Sequence, residues 1–532
     1  MSDIQKYDAI VVGAGAMGAV FAHELTEAGM TVLCIEKGPF YKDHEKEFIE
    51  NELETFRFIW DYTGYKITGD AFDGGPNLGT QVGGGTLSWT AAAFRMFKHD
   101  FRFASKFGCP EGANTADWPI NKRMLQPFYN KAEEQMGVSG EATVWDEQGT
   151  PLPPNPPMPI YPSSRQLQQG FANLGLRSHA GRVATNSQAY NGRSGCVNCG
   201  YCRSGCRTDA KYQADEVLIK PALRTGLLTL ETHSVVTKVE TNNSGRRATG
   251  ISYANLNTGL TSQAEADFII LANNPFEIPR LLLSSVSDKH PNGIGNKYDQ
   301  IGRNFYSHAT CIGMGITPYE LNTYVGHSMA NVMSLDTCVN TERDDYIGGF
   351  TLLSLNGSGA GSLAAFPLHK LNGLALKEEM ADYNKSMVAI AFIEGMPVES
   401  NRITVDWNNL DDLGMPQPHI HYEWHQNDRN AFAHATDKLN ELMYAAGSTR
   451  TYTSELFESH PMGTMRMGWN PRKSATDRFG RVHGVKNIYI SGGCLFPTGS
   501  SVNPTLTMHA LALRSSKKII KKWHRKQGDY HG

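Results

Sequence analysis

Cys196, Cys199, Cys202 and Cys206 place four thiols within eleven residues, in the pattern C-x2-C-x2-C-x3-C. Thiolates are the ligands of iron–sulfur clusters, and this is the spacing of a bacterial ferredoxin-type run. Two features depart from that pattern. Arg207, not proline, follows the last cysteine, and no second cysteine run is present to share a ligand. Three readings stay open: a cluster held by three or four thiolates, a structural zinc site (whose ligand pairs are usually set farther apart), and disulfides or free thiols that tighten a loop. Cys34, Cys109, Cys311, Cys338 and Cys494 are scattered and read as buried core thiols.

A second set is built of glycines. Residues 7–38 read YDAIVVGAGAMGAVFAHELTEAGMTVLCIEKG. The apolar run 8–12 is that of a buried parallel strand. Gly13, Gly15 and Gly18 then give G-x-G-x-x-G, with Ala16 and Met17 between them. The first glycine allows a tight turn, the second a close approach of backbone to a pyrophosphate, and the third close helix–strand packing. Residues 19–28 continue as a helix, which Gly29 can stop, and the helix N-terminus offers free N–H groups to phosphate. Residues 31–35 form the next strand, and Glu36 ends it where an acid binds a ribose 2′-hydroxyl. An acid there favours FAD or NAD over NADP.

A third glycine group, Gly83, Gly84 and Gly85, is followed by Thr86 and Ser88 in TQVGGGTLSWTAAAFR. It reads either as a second cofactor contact or as a turn before a short helix. Near the C-terminus, His460 is followed by Pro461 and Gly463, which places it in a loop that presents side chains. Asn503 precedes Pro504 and Thr505 at the head of the last helix, a first-turn position that proline favours. His509 lies inside that helix and reads as packing.

The elements that carry these groups belong to a large chain. Its 532 residues, 40% hydrophobic, imply two or more domains. A net charge of −3 argues against a nucleic-acid partner. No apolar run is long enough to span a membrane. The N-terminus, MSDIQKYDAIVV, has no basic region ahead of its first strand, so no signal peptide is expected. The expected location is the cytoplasm, or the periplasmic face of the membrane if the chain is exported with a partner.

Residues 51–69 read as an insertion, 100–141 as partly helical with an amphipathic run over 123–137, and the proline-rich 150–164 as an extended connector. Residues 214–223 and 277–285 read as helices, and 227–241, 247–254 and 266–272 as strands of the dinucleotide fold. Residues 311–453 hold Gly/Ser-rich loops, strand-like runs such as 386–394, and an amphipathic helix over 427–446. They read as a second domain on an antiparallel sheet. His419 and His421 share one strand face, which is either a wet substrate wall or a solvated face. With Arg95 they are the polar wall residues the sequence suggests. The basic 515–528 stretch reads first as a solvated helix end, and otherwise as a docking face.

Taken together, GAGAMG with Glu36, GGGTLSW, HPMGTMRMG and FPTGSSVNPTLTMHALALR resemble the glucose–methanol–choline (GMC) family of flavoproteins, in that family's order along nearly the whole chain. The resemblance implies α/β plus α+β architecture. A Rossmann-like FAD domain is assembled from residues 1–95, 185–310 and 455–532, with the Cys-rich loop 195–211. A substrate domain is formed by 96–184 and 311–454. It implies that FAD is held by Gly13, Gly15, Ala16, Met17, Gly18, Glu36, Gly84, Gly85, Thr86, Val236, Asn503, Pro504 and Thr505. The family's base histidine falls on His460 and its partner on Asn503.

The Cys run resembles that of bacterial dehydrogenase subunits acting on sugars, sugar acids and polyols. It implies one [3Fe-4S] or [4Fe-4S] cluster on Cys196, Cys199, Cys202 and Cys206, a small helper subunit and a cytochrome acceptor. The expected reaction is oxidation of a sugar, sugar-derivative or polyol hydroxyl to a carbonyl by hydride transfer to flavin. The alternative is an O2-using alcohol or amino-sugar oxidase with structural cysteines.

Overall fold

The computed structural model describes residues 4–58, 64–70, 78–357, 359–365, 368 and 370–528. The first strand, Gln5–Val12, lies in the middle of a seven-stranded sheet. It runs parallel to Val32–Ile35 on one side and to Thr261–Leu271 on the other, with Val11 opposite both Cys34 and Ile270. Ile10, Val11, Leu33 and Ile269 are fully buried, as unbroken apolar runs must be when both faces of a parallel sheet are covered. Leu228–Glu231 extends one edge in parallel. At the other edge, the first half of Thr261–Leu271 pairs with the antiparallel Ala248–Asn255, and its last residues pair with Ile488–Ile490. The run read as one strand over 227–241 is two strands, Leu228–Glu231 and Ser234–Thr241, because His233 at φ +52 turns the chain between them.

Ala16–Glu27 packs against the long C-terminal helix Thr505–Gly528, which also meets Lys122–Met136. Gly29, at φ +89, ends the first of these helices as expected, its N–H donating to Thr26 O. Residues 162–164, counted in the extended connector, form the first turn of the Pro162–Asn173 helix, with Pro162 at a position its ring suits. The C-terminal helix is anchored by packing: Ile519 is fully buried and Trp523 Nε1 donates to Asp8 at 2.8 Å.

A six-stranded antiparallel sheet stands opposite. Its order is Arg450–Thr453, Tyr306–Ile316, Ser386–Ile393, Phe350–Leu355 and Met329–Ser334, with Phe457–Met462 also on Tyr306–Ile316. Alternation gives this sheet two faces. Cys311, Met387, Ala389 and Ala391 face the helices Pro162–Asn173 and Gln426–Ala445, whereas Ile312, Val388, Ile390 and Phe392 join the core of the parallel sheet. A three-stranded sheet, Arg402–Leu410, Pro416–Tyr422 and Lys66–Gly69, completes the fold. Among the described residues, no helix is long and apolar enough to cross a membrane.

Candidate active site

A cavity of about 1280 Å³ lies between the two large sheets. At one end, Gly13, Gly15, Ala16 and Met17 line it, with Glu36 at the tip of the second strand. The Ala16–Glu27 helix starts from an extended Gly15 with no side-chain cap, so its first N–H groups stay available to an anion. Gly84 takes φ +54, and a Cβ there would lie 2.8 Å from Gly15 Cα, so the two glycine segments touch backbone to backbone. A Cβ on Gly85 would meet nothing within 4 Å, which leaves this backbone open to the cavity. Gly18 does not line the cavity. It is a packing glycine: a Cβ would fall 1.8 Å from Gly13 O. Both Glu36 oxygens accept backbone N–H groups, from Ala14 at 2.8 Å and Gly38 at 2.9 Å. Burial nevertheless raises the pKa of this carboxyl. Val236, Pro504 and Thr505 line the same cavity. Thr86 does too, but its hydroxyl is engaged inside the protein, donating to Gly83 O and accepting from Ala214 N.

His460 and Asn503 meet at the cavity wall, with His460 Nε2 3.3 Å from Asn503 Nδ2. The histidine is not in a loop. It sits on the Phe457–Met462 strand, where the pairing with Tyr306–Ile316 slips between Ser459 and Met462. At this irregularity His460 takes φ +60, a rare conformation for a residue with a Cβ. Behind it stands His308, which sequence reasoning passed over. Its Nδ1 is 3.0 Å from His460 Nδ1, and its Nε2 is 2.6 Å from Ser500 O.

These distances fix the protons. A carbonyl only accepts, so His308 Nε2 carries hydrogen. Burial lowers the His308 pKa to about 4, so its Nδ1 is bare and accepts. His460 Nδ1 must then donate, which leaves the lone pair of His460 on Nε2, beside Asn503. Burial first, and His308 second, hold the His460 pKa well below the ordinary histidine value. Asn503 Oδ1 is buried with no partner among the described residues, so it does not cap the last helix. His509, with Nε2 2.8 Å from Gln135 Oε1, is a packed histidine as expected.

The three polar wall candidates lie elsewhere. Arg95 is buried in an ion pair with Glu133, at 2.5 and 2.7 Å. His419 and His421 both contact Thr68 Oγ1, at 2.9 and 3.1 Å, in the three-stranded sheet.

Two family models, both described as GMC oxidoreductase, match residues 7–310 and 397–512. The chain belongs to the GMC oxidoreductase family. The 2-methyl-1,2-propanediol dehydrogenase of Mycolicibacterium austroafricanum is 28% identical over 97% of this chain and 95% of that protein. The fructose dehydrogenase large subunit of Gluconobacter japonicus is 28% identical over 96% of this chain and 97% of its own length. Among solved structures, pyridoxine 4-oxidase from Mesorbium loti shares the fold at a TM-score of 0.66 and 16% identity, covering 96% of this chain and 98% of that one.

The cavity of this GMC oxidoreductase fits the FAD of its family. Gln81 Oε1, Asn273 Oδ1, Ser491 Oγ and Asn503 Oδ1 are buried polar atoms on lining residues, and all four lack a partner among the described residues. Unpartnered groups of this kind are costly unless a bound group satisfies them. With the uncapped helix start and the bare Gly85 backbone, they form a cradle for a large polar cofactor.

The Cys loop packs directly behind this cradle. Lys211 Nζ, buried, donates to Cys202 O at 2.6 Å, Leu87 O at 2.8 Å and Trp89 O at 3.3 Å, tying the loop to the segment after Gly85. Gln213 holds Cys206 by both backbone groups, at 2.9 and 3.1 Å. His44, a second residue sequence reasoning missed, bridges Asp209 at 2.6 Å and Asp215 at 2.7 Å. Burial opposes its charge, but the bonds to the two carboxylates outweigh this and raise its pKa to about 10.

All nine cysteines are free thiols. Cys109 is exposed, not a core thiol, because its 108–115 turn lies at the surface. Cys202 is buried, Cys196 and Cys206 are partly so, and Cys199 is exposed. Burial pushes the Cys196 thiol up to about 12 and Cys199 to about 11, with the neighbouring thiols adding to both shifts.

Proposed function

We propose that this enzyme is an FAD-dependent dehydrogenase in which His460 takes the hydroxyl proton of an alcohol as it becomes a carbonyl. The supporting observation is the histidine relay from Ser500 O through His308 to His460, which leaves a bare Nε2 at the cavity beside Asn503. An incoming hydroxyl donates to Nε2 and accepts from Asn503 Nδ2, which orients its carbon. Bound FAD supplies the acceptor for the hydride that leaves this carbon. Gly13, Gly15, Ala16, Met17, Glu36, Gly84, Gly85, Thr86, Val236, Asn503, Pro504 and Thr505 line its cradle, and Gly18 packs the helix that forms it. The division into an FAD-binding and a substrate domain belongs to this reading, with the six-stranded sheet as the substrate wall. Sugars, sugar derivatives and polyols are the donor class of the resemblance.

We further propose that Cys196, Cys199, Cys202 and Cys206 hold a [3Fe-4S] or [4Fe-4S] cluster, the electron exit to an external acceptor such as a cytochrome, with a small helper subunit in the assembly. Buried Lys211 supports this reading: among the described residues its ammonium is hydrogen-bonded only to carbonyls, and Cys202 and Cys206, with Asp215, are the groups whose negative charge would balance it.

The test is anaerobic mixing with alcohols while flavin absorbance is followed, together with iron and acid-labile sulfide per flavin. Flavin bleaching with about three or four irons supports the dehydrogenase. Bleaching without iron, and peroxide from O2, would move the assignment to the oxidase alternative with structural cysteines.

A further inference from the structure

Glu458 and Ser459 line the cavity from Phe457–Met462, but three other strands of the six-stranded sheet give it a hydrocarbon wall. Ile312, Leu355, Val388, Ile390 and Phe392 line it, and the strands that carry them contain no Asp, Glu, Lys or Arg. The polar side chains nearby are already engaged. Thr310 Oγ1 pairs with Ser459 Oγ at 2.7 Å, Asn356 bonds Ser163 and Ser164 at 2.6 and 2.7 Å, and Ser454 Oγ accepts from Ile312 N. A free sugar would press several hydroxyls against this surface with nothing to receive them, and each unmet hydrogen bond weakens binding.

One cation breaks the pattern. Arg203 enters the cavity from the Cys loop, beside Ser328, which hydrogen-bonds its neighbour Cys202. Among the described residues its guanidinium has neither a hydrogen bond nor an ion pair, although it is partly buried. Several other charges along the cavity are paired, and Glu458 and Asp412 also line it. Arg280 holds Glu277 and Asp411, and Lys370 holds Glu455. Lys37 lies beside Glu36, at the glycine end.

We propose that Arg203 binds the carboxylate of the substrate, which is a hydroxy acid with an apolar body. This rests on the alcohol oxidation proposed above. A lone guanidinium balances a single negative charge, which matches a carboxylate better than a phosphate dianion, and its planar fork suits two oxygens at once. The body lies on Ile390 and Phe392 while the hydroxyl meets His460. Oxidation at carbon leaves the carboxylate unchanged: the C–H hydrogen leaves with both electrons to FAD and the O–H proton goes to His460 Nε2.

The test compares 4-(hydroxymethyl)benzoate, its methyl ester, benzyl alcohol and glucose on the FAD-loaded enzyme. Benzoate, which cannot be oxidised, is titrated separately by calorimetry. The acid is expected to exceed ester and benzyl alcohol by about 10- to 100-fold in kcat/KM, with glucose the poorest. In R203Q the ratio of acid to ester should fall toward one through KM, and benzoate should bind about tenfold or more weaker, with R203K recovering part of both. An acid no better than its ester in the unmodified enzyme overturns the proposal without any variant. So does an unchanged benzoate affinity in R203Q, or a variant that loses iron or flavin while keeping its preference for the acid. If benzoate binding depends on Arg203 but no alcohol bleaches the flavin, the anion site stands and the alcohol oxidation falls.

Discussion

At residue scale, the role proposed for His460 depends on the groups packed behind it. His308 holds the Nδ1 proton, Ser500 O holds His308, and burial keeps both rings neutral. His460→Ala should lower kcat by about 10²–10⁴-fold while flavin stays bound, read as the rate of anaerobic bleaching. The pH dependence follows from the direction of the shift. The protonated imidazole is the inactive form, and its pKa lies below 6.5, so activity persists as pH falls through that value. The acid limb of kcat/KM should appear below pH 6.5; a limb at or above it would contradict the assignment. His308→Leu removes the acceptor of Nδ1–H and the neighbour that helps to depress His460. It should slow turnover and move the limb upward toward 6.5. The motif letters singled out His460 and Asn503, which the fold brings within 3.3 Å of each other at the cavity. Nothing in YSHATC marked His308 for this relay, because what matters is its position across a strand pair, 152 residues away.

Elements set the tolerances. Gly18 lies where helix meets strand, and its missing Cβ leaves room for Gly13 O. Gly18→Ala should abolish soluble, flavin-loaded protein or lower its melting temperature by several degrees, since backbone must move to admit the methyl. His44 binds two carboxylates of the segment that ends the Cys loop. His44→Ala strands Asp215, which is fully buried, and should cost about 3–5 kcal/mol in denaturant titration. Gly motif, flanking strands and helix were legible because each is local and periodic. The placement of His460 in a loop went wrong for the opposite reason. Pro461 and Gly463 signal a turn, but the neighbouring Tyr306–Ile316 strand captures this segment as an irregular edge. Likewise the His419–His421 alternation was read correctly as a strand, yet which sheet it joins is invisible in local pattern.

For the whole molecule, the two large sheets share one hydrophobic core around the cavity. Filling that cavity should stabilise both together. FAD added to apo-protein should raise a single melting transition in proportion to the logarithm of its concentration, by about 2.7 kcal/mol at a hundred times Kd. Two transitions, only one of them answering to FAD, would show that the sheets unfold independently.

By itself the sequence determined what depends on neighbours along the chain: the βαβ start with its glycine-rich turn, the acid at the second strand's end, the family, and four thiols in one loop. The tertiary structure decided everything that depends on contact across the chain. It placed the Cys loop on Leu87 and Trp89 through Lys211, set the tautomer of His460, and moved Arg95, His419 and His421 away from the cavity. It also brought Arg203, which has no ion pair among the described residues, from the Cys loop to the cavity. The physical reason is common to all of these. Backbone propensity and side-chain period act over a few residues, whereas burial, ion pairing and proton position are set by partners that only the packed fold brings within about 3 Å.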